Sequence, residues 1–275
     1  MIQARTFIVA LLLAGCFTAG PLAAQPDLII TEQKQSTGPA VSELLRWREE
    51  FTYEVRYSFF NLGRVQVVMT DTLFNGRPAW QLSGIITSSG IPFVGREENH
   101  YNSIFRVDAG KPKELVYWKD DFDDNKPNED RNIFDYEMGK VYAFDEGEAA
   151  DTLDLEEPAT SGPLVFLFSR MLAGSQTTSR LFIYLEDQKG TIDMKHTATR
   201  DFREYDAFEE EVNTYYSEGD ADIDGPFGFR GRFKAWFGTD SLRVPLEAHV
   251  KVWMGNVKVR LIDYKKELRN GESTF

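Results

Sequence analysis

The 275-residue chain has one cysteine, Cys16, and three histidines. A lone cysteine excludes any disulfide within the chain, so a buried core rather than crosslinks must hold the fold. His100, His196 and His249 lie in no HExxH or comparable metal spacing. Serine-nucleophile patterns (GxSxG, SxxK) and a phosphate-binding P-loop are missing, and there is no thiol beyond residue 16. Carboxylates abound, but in so acidic a chain their number singles out no glycosidase pair. Positive charge is in deficit: 31 Lys and Arg against 44 Asp and Glu leave a formal net charge of −13. Such a surface repels phosphate backbones and anionic lipid headgroups, which argues against nucleic acid as a partner. No repeat of fixed period and no Pro/Gly/Ser linker divides the chain after about residue 42.

Long apolar runs are also lacking. The uncharged stretch 7–14 is too short to cross a bilayer but, following Arg5, reads as the apolar part of a secretory signal. Two exits are open. Leu13-Ala-Gly-Cys16 looks like a lipobox, which makes 1–15 the signal and Cys16 the lipidated first residue of the mature protein. Alternatively, Pro21-Leu-Ala-Ala24 supplies small residues before Gln25, which makes 1–24 the signal. Either way the expectation is an exported protein, periplasmic or lipid-anchored to the envelope, touching membrane only through such an anchor. Residues 25–46, rich in Gln, Thr, Ser and Pro, read as a flexible arm, 47–266 as a single β-rich domain, and 267–275 as a tail.

What the chain does have is alternation. Phe51, Tyr53, Val55, Tyr57 and Phe59 share one side of a strand, with Thr52, Glu54, Arg56 and Ser58 on the other. Asn75-Gly76 signals a tight hairpin, and a strand with Trp80, Leu82 and Ile86 follows. The pattern recurs to the C-terminus, where Phe229, Phe233, Ala235 and Phe237 alternate with Arg230, Arg232 and Lys234. About a dozen strands with short turns predict a continuous antiparallel meander, interrupted by acidic connections near 120–130 and 145–158. A sheet of that width must curl into a half-barrel or open barrel.

One segment departs from period two. Between Ser161 and Gly174 the spacing of Leu164, Phe168, Met171 and Leu172 is helical, with Thr160 or Ser161 as N-cap, Pro163 in the first turn and Gly174 as the left-handed stop. Val165, Phe166 and Leu167 widen its apolar face until only Ser169, Arg170 and Ala173 remain for a polar edge. Such a helix must be buried. The expected fold is therefore mainly β, a curled antiparallel sheet around one buried helix.

Three motifs resemble a bacterial envelope family known as domain of unknown function 3108. They are Glu49-Glu-Phe-Thr-Tyr-Glu-Val-Arg-Tyr57 with Gly63, the helix at 163–173, and Trp236-Phe-Gly-Thr-Asp240-Ser-Leu-Arg243-Val-Pro245-Leu with Gly255. Together they span about 47–264, and the acidic insertions here are longer than the family's usual pattern. The resemblance implies an exported curled-sheet protein and carries over no catalytic residues.

Asp220, Asp222 and Asp224, followed by Gly225, match the first half of a calcium loop, and Asp121, Asp123 and Asn125 have similar spacing without the glycine. Against calcium, Gly231 stands where a chelating Glu belongs; an Asp/Gly-rich turn is the alternative. His196, beside Ile192, Met194 and Ala198 on one strand face, reads as a satisfied interior histidine. The large aromatics remain. Tyr53, Tyr57, Phe59, Trp80, Phe166, Phe168 and Phe233 either fill the core or line a slot for an apolar ligand between helix and sheet. The function expected is that of a noncatalytic envelope protein binding a lipid, glycolipid or other apolar ligand in the concavity, with no cofactor beyond the calcium alternative. Its rivals are an interaction protein with a filled core that docks an envelope partner, and an enzyme of unknown reaction.

Overall fold

A computed structural model of the chain describes residues 38–88, 98–121, 130–145, 147–225, 229–252 and 255–269. Cys16, both signal exits, Asp123 and Asn125 lie outside them. After a short helix, α1 (Val41–Leu44), eight strands follow in sequence: β1 (Trp47–Tyr57), β2 (Phe60–Phe74), β3 (Arg77–Ser88), β4 (Glu98–Asp108), β5 (Lys111–Asp121), β6 (Arg131–Asp135), β7 (Lys140–Asp145) and β8 (Glu148–Asp154). Then come β9 (Ala159–Thr160), helix α2 (Val165–Leu172), β10 (Thr178–Leu185), β11 (Gln188–Arg203), β12 (Val212–Gly225), β13 (Phe229–Gly238), β14 (Pro245–Val252) and β15 (Gly255–Leu268).

All fifteen described strands belong to one sheet, in the order β8-β7-β6-β5-β4-β3-β2-β1-β15-β14-β13-β12-β11-β10-β9. Two meanders therefore meet along a central seam, where β1 pairs antiparallel with β15, Phe51 opposite Tyr264 and Val55 opposite Val259. The architecture is mainly β and curled about one buried helix, as alternation predicts, with more strands than expected. Two details differ. The meander is not antiparallel throughout, because β9 pairs parallel with β10. The acidic run 145–158 is not only a connection: it forms edge strand β8, whose exposed Glu148, Asp151 and Asp154 discourage further strand addition.

No ladder joins β8 to β9. Side chains bring the two ends of the sheet together instead: Asn132 Nδ2 donates to the Glu186 carbonyl (2.9 Å), and Tyr184 Oη donates to the Asp154 carbonyl (2.8 Å). Tyr117, Phe134, Val141, Ala159 and Tyr184 form a small core beneath this junction. The main core lies between α2 and the inner face of the sheet, and Leu185 packs against both.

Both flanks of the domain are more ordered than the sequence suggests. The expected arm 25–46 ends in packed structure, with Val41 and Leu44 buried in the main core and Gly38 so close to α2 that a Cβ would fall 2.1 Å from the Met171 carbonyl oxygen. The expected tail from 267 begins inside β15, and Arg269 beyond it donates to the carbonyls of Trp47 (3.1 Å) and Met69 (3.2 Å).

Candidate functional site

Helix α2, itself the second of the three sequence motifs, is set in place by the other two, which converge on it. Its apolar residues are buried as the spacing demands: Leu164, Leu167 and Phe168 are in the main core, and Phe166 meets the Phe51 ring edge-on at 5.0 Å. Gly174 ends it at φ +82°. Neither Thr160 nor Ser161 caps its start. The N-cap position is Leu164, with no side-chain bond, after a tight turn in which the Val165 N–H donates to the Gly162 carbonyl (3.0 Å).

The expected polar edge is not solvated. Ser169, Arg170 and Ala173 are all buried, and Arg170 is among the largest fully buried side chains described. Its guanidinium forks onto Glu49 of β1, Nη1 to Oε2 at 2.9 Å and Nη2 to Oε1 at 3.0 Å, while Nε donates to the Leu242 carbonyl (3.0 Å). Tyr264 Oη donates to Glu49 Oε1 (2.6 Å), and the rings of Phe51 and Phe166 lie 5.4 and 5.7 Å from the guanidinium carbon. The closing motif completes the clamp: Tyr53 Oη donates to the Pro245 carbonyl (2.9 Å), and Arg243 Nε to the Ala173 carbonyl (3.4 Å). Burial pushes the Tyr53 and Tyr264 hydroxyls far above the ordinary phenol range, and the Glu49 charge adds to the push. Both stay neutral donors.

Clamped this way, α2 does not fill the concavity. Between it and the sheet is a pocket of about 400 Å³. Its walls are aliphatic and aromatic: Val65 and Ile86 from one half of the sheet, Ile223, Phe229 and Phe233 from the other, and Phe166 from α2. Of the seven aromatics expected to line a slot, Tyr53, Phe166 and Phe233 do so. Trp80 instead stacks on Phe105 at 6.0 Å, and Phe168 points into the main core. Tyr57 and Phe59 lie at the exposed β1–β2 turn, because Ser58 takes φ +55° and the alternation stops there. The aliphatic wall was visible as strand faces on β2 and β3, but nothing in the sequence set it opposite β12 and β13.

A few polar side chains interrupt the apolar lining: Ser161, Ser169, Ser217 and Glu247. Ser161 is 1% exposed, lines the pocket, and its Oγ has no hydrogen-bond partner, which is unusual for a buried hydroxyl. Its own N–H donates to Glu114 Oε2 (2.6 Å), a fully buried carboxyl that also accepts from the Ser103 and Thr160 hydroxyls. Burial outweighs these bonds and raises the Glu114 pKa to about 7. His196 is buried with both ring nitrogens bonded, Nε2 with Ser179 Oγ (3.2 Å) and Nδ1 with Ser217 Oγ (3.1 Å). Burial lowers its pKa to about 4.

Asp220, Asp222 and Asp224 occupy neither a calcium loop nor a turn. They are alternate exposed residues of strand β12, and Arg230 on β13 donates to Asp222 Oδ1 (2.7 Å) and to both Asp224 oxygens (3.4 Å). Among the described residues no three His, Cys, Asp or Glu side chains gather as a metal site would require.

The family model described as "Protein of unknown function (DUF3108)" matches residues 52–262. No curated protein matches the chain. Among solved structures, a β-barrel-like protein of domain of unknown function DUF1849 from Brucella abortus aligns with a TM-score of 0.50 at 11% identity, over 81% of this chain and 98% of that one. The likeness is one of fold.

Proposed function

Because the chain belongs to the DUF3108 family, whose description assigns no activity, we propose from the site itself that it is a noncatalytic, exported envelope protein that holds an amphiphile of lipid or glycolipid type. The observation that carries this is the unfilled apolar pocket between α2 and the sheet. Its volume of about 400 Å³ lies in the range of roughly 300–1,000 Å³ usual for small-ligand sites. Its lining is apolar nearly throughout, so an acyl chain or comparable apolar body is the chemistry it suits. The unpartnered Ser161 Oγ is positioned to donate to an ester, amide or carboxylate oxygen at the polar end of such a ligand.

The test is a mass spectrum of organic extracts from the purified protein, alongside titration with a fluorescent fatty acid. An acyl-containing species that co-purifies and is displaced by the probe is expected. Neither co-purifying lipid nor probe binding would overturn the reading in favour of an interaction protein that uses its outer surfaces.

A further inference from the structure

The excess of acid along the chain conceals a cationic face. On the side of the sheet opposite Phe233 and Ala235, alternation places Lys234 of β13 across from His249 of β14, His249 across from Lys258 of β15, and Lys258 across from Arg56 of β1. One step further along, Lys251 faces Asn256 and Arg232 faces Asp220. This outer face is itself hollowed, forming a cleft of about 1470 Å³. Three carboxylates also face it. Asp193 is held by Arg180 Nε (2.7 Å) and Nη2 (2.9 Å), Glu218 lies 3.8 Å from Lys195 and accepts from Tyr216 Oη, and Asp220 stands beside Arg232. Among the described residues none forms an ion pair with Arg232, Lys234, Lys251 or Lys258. Within the row Arg56 is held by Glu54 (2.6 Å) and His249 by Glu247 (2.5 Å), and Glu218 stands across from Lys234. The cations of this face without an ion pair among the described residues are Arg232, Lys234, Lys251 and Lys258, and these are open to anionic groups from outside.

The row runs into an apolar tip. Arg56 is followed by Tyr57, and at the turn Phe59 is 80% and Phe60 50% exposed, with ring centroids 4.2 Å apart. The same end of the strands carries Ile86, Gly225 and Phe229, which line the inner pocket. Arg56 itself is paired with Glu54, but Lys258 lies opposite it on the neighbouring strand without an ion pair among the described residues. Exposed aromatic rings at the end of such a cationic face match a bilayer interface, where rings enter the headgroup zone and cations meet phosphates. We propose that this end of the protein, Phe59 and Phe60 with Lys234, Lys251 and Lys258, docks on an anionic lipid surface. Docking here would bring the pocket end of the sheet to the membrane, but it does not depend on the pocket being occupied.

The test uses the full chain and vesicles of phosphatidylcholine, with and without phosphatidylglycerol, in co-sedimentation. The apolar stretch 7–14 is common to every protein compared, so differences between variants report on the tip. Expected are binding to the anionic vesicles alone, weakening with added salt, a loss of more than about tenfold in K234E/K258E, and a smaller loss in F59S/F60S. Lys111→Glu, exposed in another strand, should bind as the parent does, and all variants should show the parent's circular dichroism. Equal binding to both vesicle types, an equal loss with Lys111→Glu, or no loss in K234E/K258E would overturn the proposal. Inositol hexakisphosphate is the soluble arm: if it binds the parent and F59S/F60S alike while vesicles do not bind, the cleft takes a free phosphorylated solute and the lipid-surface proposal falls.

Discussion

Glu49 and Arg170, 121 residues apart in sequence, form a bidentate ion pair in which neither side chain is more than 1% exposed. It fastens the first strand to the only long helix described, with Tyr264 and the Leu242 carbonyl meeting the remaining polar positions. Removing one partner leaves the other as an uncompensated buried charge. Glu49→Gln or Arg170→Met should therefore each destabilise the fold by about 3–5 kcal/mol, whereas the apolar double replacement E49L/R170M should cost less than the sum of the two single losses. Urea unfolding of the four proteins measures this; additive losses would show that the pair does not act as a unit.

Glu114 ties stability to acidic pH. Its folded pKa of about 7 lies above the unfolded 4.5, so between these values the folded state binds more protons than the unfolded one. Stability is fully present below about pH 4.5 and falls as pH rises towards 7, by up to about 3 kcal/mol from this group. In Glu114→Gln that fall should disappear, leaving the variant relatively more stable at pH 8 than at pH 5 in thermal melts.

His196 works in the opposite direction. Its folded pKa of about 4 lies below the unfolded 6.5, so the unfolded chain takes up a proton that the folded one refuses. Its contribution is present above about pH 6.5 and is lost as pH falls towards 4. The stability gap between the parent and His196→Asn should narrow over that window. A gap independent of pH would mean that the ring is not held neutral.

The pocket can be closed without disturbing the clamp on α2. Ile86→Trp places bulk into the space between helix and sheet and should abolish fatty-acid probe binding, with a stability cost of about 1–3 kcal/mol. Ser161→Ala should leave stability near the parent's, since its hydroxyl has no protein partner, but weaken binding by about tenfold through one lost hydrogen bond to the ligand. Probe fluorescence reads both, and unchanged binding in Ile86→Trp would place the ligand elsewhere.

Local signals in the sequence served well where one residue's neighbours decide its conformation. The Asn75-Gly76 turn has both residues at positive φ, and the helical spacing from Leu164 with its stop at Gly174 marked α2 within a few residues. What pattern could not supply was pairing at a distance. Arg170 read only as part of a polar edge because its partner lies in another strand motif, and Tyr57 and Phe59 read as lining because alternation does not say where a strand ends. The carboxylates of Asp220, Asp222 and Asp224 share the spacing of a calcium loop and of an extended strand alike; only the pairing of β12 with β11 and β13 decides. Net charge carries no information on distribution for a similar reason, since a sum over all faces erases the row from Lys234 to Lys258.

The seam between β1 and β15 also governs how the chain is made. Strands β1 to β8 can zip together as soon as they emerge into the compartment where the chain folds, but the outer side of β1 stays an open edge until roughly two hundred further residues have followed. During that interval the nascent half-sheet presents Phe51 and Tyr53 beside unpaired backbone, the arrangement from which strand-mediated clumping begins. Chains cut short before β15 should accumulate as insoluble material.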